Sequence, residues 1–429
     1  MHSTGLVFSI SKILYNLSVR LFSALVLMST PFSIKAGQWV EGRRNWKNRY
    51  KQPENAAGTL WMHVSSLGEF EQGRPVLERF RSEYPDWRIV LSFFSPSGFE
   101  IRKNYPGADS VVYLPVDTPG NARFFLDLIR PDMAIFVKYD FWFNYLSELS
   151  GRRIPTLLVS ALFRKEQPFF HWYGALWRRM LSFFDEIHVQ NRQSADLLKQ
   201  AAYESAVIAG DTRVDRVLTL AASAAPNAKA AAFAENSYPV FIAGSSWEAD
   251  ESVFLSVLKK ECFQHIRIIV APHDPSEKNI TRLLREAPGA IRYSRYEPGL
   301  HSGYRTLVID NTGMLNTLYR YGHLAYIGGG FGKSIHNTLE PAAYGLPLIF
   351  GPEYSKFEEA VQFVARGGAI SISDSTGFEN ALGLLVRKPQ KDTASEAVLA
   401  YLRESEGATV KAMEWVRHQI LQKSKQKRD

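Results

Sequence analysis

Cysteine is nearly absent. The single one, Cys262, leaves no intramolecular disulfide and no thiolate cluster for zinc or iron–sulfur binding. That fits a reducing compartment. A long unbroken hydrophobic run is missing as well. In the amino-terminal segment the longest uncharged stretch is Leu21 to Ile34, short of the ~20 residues that span a bilayer. No G-x-x-x-x-G-K-[ST] pattern occurs, so an ATPase reading lacks its motif. No short repeat or long low-complexity tract appears. Apolar material is plentiful: 45% of the 429 residues are hydrophobic and 22% charged. That excludes a disordered, acidic or fibrous chain, and the length suits two or three domains.

The net charge of +8 is uneven. Residues 1–52 carry Lys12, Arg20, Lys35, Arg43, Arg44, Lys47, Arg49 and Lys51 against Glu41 alone, a balance of +7. Residues 411–429 hold +4, so the chain between sums to −3. Basic ends around a slightly acidic middle argue against a nucleic-acid surface, and no nucleic-acid partner is expected.

Residues 5–34 are mostly apolar, interrupted by Lys12 and Arg20 and closed by Pro31. A signal peptide, a buried or interfacial helix, and a membrane anchor are the three readings. The anchor reading has the support of Lys35, Arg43 and Arg44 at its exit, where cations meet anionic headgroups, and of snorkelling by Lys12 and Arg20. It places the protein at the cytoplasmic face of the cell inner membrane.

Short apolar runs alternate with helical patterns through the rest. Strands are predicted at Leu60–Val64, Ile89–Phe93, Val111–Leu114, Met133–Val137, Thr156–Ser160 and Glu186–Val189. A second series covers Val240–Ala243, Ile266–Ala271, Leu307–Ile309, Leu324–Ile327 and Pro347–Phe350. Such runs are the pattern of parallel strands covered on both faces. The Ala-rich stretch 221–234 reads as a linker. The organisation expected is a membrane-associating segment 1–39, a doubly wound domain 40–220, the linker, a second doubly wound domain 235–400, and a carboxy-terminal helix with a frayed basic tail, 401–429.

Chemistry-bearing residues gather after the strands. His63 to Glu69 follows the first one; Glu69 there is either a base for a hydroxyl proton or the cap of a helix starting near Ser66, and spacing leaves both open. Tyr326 to Gly332, followed by His336 to Pro341, joins a glycine-rich turn to a helix expected near Asn337, whose N–H groups suit an anion. Ser245 and Ser246, Pro272 with His273, and Thr312-Gly313-Met314 end three more strands. Together these four strand ends place a nucleotide-like ligand in the second half. In the first half, Lys138 and Arg164 are candidates to neutralise an acidic substrate. Arg213 either reaches a phosphate or forms an ion pair at a helix start.

On these residues the chain resembles the 3-deoxy-D-manno-octulosonic acid (Kdo) transferases of bacterial lipopolysaccharide synthesis. The most specific piece is His336-Asn337-Thr338-Leu339-Glu340-Pro341-Ala342, continued by Gly345-x-Pro347 and Gly351-Pro352. Val64 to Glu69, Gly244 to Ser246, Pro272-His273 and Gly313 support it. The resemblance implies an α/β GT-B fold, two Rossmann-like domains facing across a cleft, with a hydrophobic N-terminal helix. It implies Glu69 as general base. The cytidine nucleotide contacts it implies fall on Pro272, His273, Thr312, Gly313, Met314, Asn337, Thr338, Leu339 and Glu340, with Ser245, Ser246, Gly330 and Arg213 near the donor. The family usually has arginine at the place of His273, a Met-Gly-Glu at Thr312 to Met314, and glutamates at the places of Lys138 and Asp140.

The activity so implied is inverting transfer of Kdo from CMP-Kdo to a lipid A precursor, a phosphorylated acylated glucosamine disaccharide, at a membrane surface. No cofactor and no metal are expected. The alternatives are a GT-B enzyme using another nucleotide sugar, either a transferase or a 2-epimerase, and a noncatalytic membrane-bound sugar-nucleotide binding protein.

Overall fold

The computed structural model describes residues 2–49, 56–235, 238–301 and 303–426. It divides into two units, Met1–Asp215 with Ser405–Asp429, and Arg216–Glu404.

In the first unit seven strands form one parallel sheet: β1 (Thr59–Val64), β2 (Arg88–Phe93), β3 (Ser110–Tyr113), β4 (Met133–Val137), β5 (Thr156–Ala161), β6 (Glu186–Val189) and β7 (Ala206–Ile208). Their order is β3-β2-β1-β4-β5-β6-β7. Alternation along β1 divides its side chains between two cores. Leu60, Met62 and Val64 join Ile89, Ile135 and the helix Leu67–Glu83 on one face; Trp61 joins Phe125, Phe136 and Tyr145 on the other. Both faces are covered, which is why these strands are continuous apolar runs.

The second unit repeats the plan. Its strands are β8 (Val240–Ser246), β9 (Arg267–Pro272), β10 (Ala290–Arg292), β11 (Thr306–Val308), β12 (Leu324–Ile327), β13 (Leu348–Phe350) and β14 (Ala369–Ser371), in the order β10-β11-β9-β8-β12-β13-β14, all parallel. Phe241, Phe254, Tyr326 and Phe378 pack in its main core. The strand order reverses beside β1 in one sheet and beside β8 in the other. Ligands of doubly wound sheets bind at such reversals, beyond the carboxyl ends of the strands.

Three expectations change. The stretch 221–234 is no bare linker: the helix Thr212–Ser223 runs into it, and Asn227 caps a helix Ala228–Ala234 whose Phe233 is buried. The division falls instead at residues 215 and 405, because the carboxy-terminal helix Ala408–Gln426 packs back on the first unit through Met413 and Val416. Nor does the tail fray at Lys423. That lysine pairs with Asp132, Arg417 pairs with Glu83 at 3.0 Å, and the helix continues to Gln426; residues 427–429 lie outside the described residues.

The amino-terminal charges are also redistributed. Arg43, expected at headgroups, is half-buried and turned into the fold. Its guanidinium donates to the carbonyls of Leu114 at 2.9 Å and Phe94 at 2.7 Å and lies over the Trp39 ring. Burial lowers its pKa to about 9. Arg20, Lys35 and Arg44 remain exposed; Lys51 lies outside the described residues.

Asp215 closes the first unit. Its carboxylate accepts from Gly407 N and Thr409 N, both at 2.6 Å, capping the carboxy-terminal helix from a residue far away in sequence. Asp215→Ala leaves those donors uncapped, and stability should fall by about 1–3 kcal/mol. Urea unfolding checks this; an unchanged midpoint would show that the cap contributes nothing.

Candidate active site

At the first reversal the chain leaves β1 at Val64 and enters the helix Leu67–Glu83 through Ser65 and Ser66. Ser66 caps that helix, and Glu69 completes a capping box: Ser66 N donates to Glu69 Oε2 at 2.8 Å and Glu69 N donates to Ser66 Oγ at 3.4 Å. The cap occupies Oε2. No bond to Oε1 is formed among the described residues, so a half-buried carboxylate oxygen is left for a substrate proton. Cap and base are therefore compatible readings of one side chain.

Beside it, Lys138, held at φ +62, follows β4, and Asp140 comes two residues later, buried. Ser65 Oγ donates to Asp140 Oδ1. Asp140 Oδ2 lies 3.9 Å from His63 Nε2, and neither atom has a hydrogen-bond partner in the structure. Burial drives the His63 pKa down to about 3, so this ring is neutral, and its Nδ1 lies 2.8 Å from Ser92 Oγ. Burial and the charge of Glu69 push Asp140 well above the usual carboxylate range, against the Ser65 bond. Burial also raises Glu69, opposed by the Ser66 bonds and by the Lys138 ammonium. Two neighbouring carboxyls resist double ionisation. Asp140, the more deeply buried, is raised further than Glu69, so Glu69 is the one that ionises more readily.

At the second reversal, β8 ends through Ser245, at φ +51, and a register shift between Gly244 and Ser246. The glycine-rich turn after β12 packs against it. A Cβ on Gly328 would meet Ser245 O at 2.1 Å, and one on Gly330 would meet the Gly351 backbone at 2.6 Å. These glycines are required for backbone packing. Gly329, at φ +92, makes the turn itself. The buried carboxylate of Asp250 pins that turn: it accepts from Gly329 N and Trp247 N, each at 2.9 Å, and from Tyr326 Oη at 2.8 Å. Sequence reading missed Asp250: Trp247 stands at the cap where a capping box has Ser or Thr, so only the backbone half of that motif, Trp247 N to Asp250, is formed.

The structure sorts the other expected contacts. His273 ends β9 through Pro272 and stacks on both Trp247 and His336. Asn337 Nδ2 donates to Glu340 Oε1 at 2.9 Å; burial raises the Glu340 pKa, against that bond and the Arg216 charge. Thr312, Gly313 and Met314 form the turn into the short helix Leu315–Leu318. Thr338 Oγ1 is buried and unpartnered.

Several residues have other commitments. Leu339 is buried, and its N–H is taken by Asn337 Oδ1 at 3.0 Å. The helix expected near Asn337 is a single turn, Leu339–Ala342, too short to concentrate a dipole on an anion. Ser246 Oγ donates to Glu251 at 2.7 Å, leaving Ser245 as the serine without a side-chain bond among the described residues. Arg213 lies in the first unit, its guanidinium on Asp211 at 2.6 Å, the ion-pair alternative. Burial raises the pKa of Asp211, yet the Arg213 charge and bonds bring it below its ordinary value.

A family model described as 3-deoxy-D-manno-octulosonic-acid transferase (kdotransferase) matches residues 44–216. The chain is 24% identical over 398 residues to a 3-deoxy-D-manno-octulosonic acid transferase of Chlamydia trachomatis serovar D, covering 90% of this chain and 91% of that one. It is 25% identical over 400 residues to the Bordetella pertussis transferase, covering 88% and 92%. It is 26% identical over 322 residues to that of Aquifex aeolicus, covering 74% and 82%. Among solved structures, a UDP-N-acetylglucosamine 2-epimerase superposes with a TM-score of 0.56 at 13% identity, covering 84% of this chain and 95% of that one. The calicheamicin glycosyltransferase CalG4 gives 0.52 at 10% identity, covering 85% and 98%. These two likenesses concern the fold alone, the two-domain α/β architecture of GT-B enzymes. Sequence likeness over most of the chain, with the Glu69 turn inside the matched region, goes further: the chain is a glycosyltransferase similar to the Kdo transferases along most of its length.

Proposed function

We propose that this Kdo transferase uses CMP-Kdo as donor and a phosphorylated, acylated glucosamine disaccharide, the lipid A precursor, as acceptor. The observation that carries the reading is Glu69, held by the Ser66 cap through Oε2 with no bond to Oε1 among the described residues, beside the buried Asp140. The acceptor hydroxyl gives its proton to Glu69 Oε1 while its oxygen attacks the anomeric carbon of Kdo. The bond from that carbon to the phosphate oxygen breaks, the configuration inverts, and CMP leaves with the electron pair. No metal enters the proposed step. The donor rests on the second unit, where Ser245, His273, Asn337 and Glu340 offer polar groups around the glycine turn.

The acceptor carries acyl chains, so the proposal places the protein on the cytoplasmic face of the inner membrane. The helix His2–Met28 contains a segment, Ile10–Met28, long and apolar enough to cross a bilayer by length and composition. One side of it is tied to the first unit: Tyr15 Oη donates to Asp117 at 2.6 Å, and Asn144 Nδ2 donates to Asn16 at 2.9 Å. The other side exposes Ile10, Leu14, Leu17, Leu21, Leu25 and Met28. A helix bonded to protein along one side is suited to lie in the interface with its apolar stripe in lipid. Trp172, almost wholly exposed ahead of the helix Ala175–Leu181 that packs on it, suits the same depth.

Three measurements test the proposal. Glu69→Gln keeps a capping acceptor, so CMP affinity and folding should persist while transfer falls about 10²–10⁴-fold; full activity in the purified variant would exclude Glu69 as the base. The base works ionised, so transfer falls as pH drops through the Glu69 pKa, and the Lys138 ammonium holds that pKa down. Lys138→Gln should therefore move the acid limb of the kcat/KM profile to higher pH, and an unmoved limb would remove Lys138 from the site's electrostatics. Replacing Leu17, Leu21 and Leu25 together by serine should weaken sedimentation with anionic vesicles about tenfold or more, with the melting temperature unchanged. Undiminished vesicle binding would refute the interfacial placement.

A further inference from the structure

The turn that carries Glu69 adjoins a buried imidazole that the proposed chemistry does not use. His63 lies on β1, two residues before Ser65, and is sealed inside the first unit. Its Nδ1 is 3.1 Å from the Ser92 carbonyl oxygen and 2.8 Å from Ser92 Oγ, on β2. A carbonyl oxygen only accepts, so Nδ1 carries the hydrogen. Trp61 Nε1 donates to the same Ser92 Oγ at 2.8 Å, so that hydroxyl serves as an acceptor too. Burial keeps the ring neutral, against the Ser92 carbonyl and with help from the Arg43 charge. A neutral imidazole with its hydrogen on Nδ1 presents a lone pair at Nε2.

That lone pair faces Asp140. Nε2 is 3.9 Å from Asp140 Oδ2, and neither atom has a hydrogen-bond partner among the described residues. Asp140 Oδ1 is occupied, since Ser65 Oγ donates to it. A hydrogen on this carboxyl therefore belongs on Oδ2, toward His63. An ionised Oδ2 would set lone pair against lone pair in a site sealed from solvent, which is costly for a buried charge. Burial and the Glu69 charge favour the protonated form as well, against the Ser65 and Trp142 donors.

The other charges around the pair act on its neighbours. Glu69 faces Asp140 from the start of the helix Leu67–Glu83, and the Lys138 ammonium acts on Glu69. Lys138 also acts on Asp211, which pairs with Arg213 at 2.6 Å. Arg43 acts on His63 from the opposite side of the chemistry, while donating to the Leu114 and Phe94 carbonyls.

We propose that His63 is a positioning residue for the reaction: its Nε2 holds the Asp140 hydrogen on Oδ2, which leaves Glu69 as the carboxyl that ionises. The inference rests on Glu69 as the base, assigned above. An ionised Asp140 beside Glu69 would raise the pH at which the base becomes available. A proton fixed on Asp140 prevents that.

Infrared difference spectra of the unaltered protein and Asp140→Asn near neutral pH read the hydrogen directly, with no substitution at His63. A carboxylic-acid carbonyl band should be present in the first and absent from the second. His63→Phe should weaken that band and move the acid limb of the kcat/KM profile up by about one pH unit. His63→Gln, which keeps an acceptor, should restore both. In the Asp140→Asn background His63→Phe should leave the limb in place, because no second carboxyl remains to share the charge. A merely structural role for His63 would lower kcat in both backgrounds without moving the limb. No acid band in the unaltered protein, a band indifferent to His63→Phe, or an equal limb shift in both backgrounds overturns the positioning role and leaves Glu69 standing. A band that responds to His63→Phe with an unmoved limb overturns the Glu69 assignment and the positioning role with it.

Discussion

Everything functional in this protein depends on one topological constraint. In a parallel sheet joined by crossovers over both faces, successive connections cover the strand ends except where the strand order reverses. The first sheet reverses beside β1 and the second beside β8. At the first reversal stand Glu69, Asp140 and Lys138; at the second stand Ser245, Trp247, His336 and the glycine turn. Backbone strain occurs at strand ends too, at both reversals and on β5. Lys138, Ser160 and Ser245 are non-glycine residues with positive φ, each at a strand's carboxyl end. Such conformations persist only where surrounding structure enforces them. Here the enforcement comes from parallel pairing on one side and buried hydrogen bonds on the other, such as Ser160 Oγ with Thr212 Oγ1 at 2.9 Å.

Buried carboxylates do the enforcing, and they serve a purpose different from catalysis. Asp250 in the second unit and Asp117 in the first each gather three donors. Asp117 accepts from Tyr15 Oη, Asn144 N and Tyr145 N at 2.6, 3.1 and 3.1 Å. Each holds a loop at a strand end by satisfying amides that would otherwise be buried and unpaired. Glu69 joins this duty to the proposed chemistry. A cap that uses one oxygen fixes the carboxylate's position and leaves the other without a bond among the described residues, so the helix start would orient the proposed base.

The two sheets were legible in the sequence where strands are buried on both faces, since such strands are written as aliphatic runs. The edge strands β7, β10 and β14 were not. Each has three residues, with only partial burial along it, so no apolar run marks it. Glu69 was legible as a capping-box position, but Ser66-x-x-Glu69 has the same spelling whether or not Oε1 is occupied. Arg213 and Ser246 illustrate the converse. Both are residue types suited to phosphate, and both are bound to acids, Asp211 and Glu251, at distances that sequence spacing does not encode. The division at residues 215 and 405 was hidden for a related reason: Asp215 caps a helix almost two hundred residues away.

Charge at the amino terminus shows how a composition argument changes meaning once burial is known. The +7 of residues 1–52 reads as a patch for headgroups, yet Arg43 is spent inside the fold on three carbonyls and three aromatic rings. Lys12 and Lys47 lie over Phe143 and Phe124. What faces outward is an aliphatic stripe with Arg20 and Lys35 beside it. A charge-driven attachment would weaken steeply with salt, whereas one built on six large apolar side chains depends on area removed from water. In the proposed interfacial placement the stripe would supply the binding, and the cations would tune orientation and lipid preference.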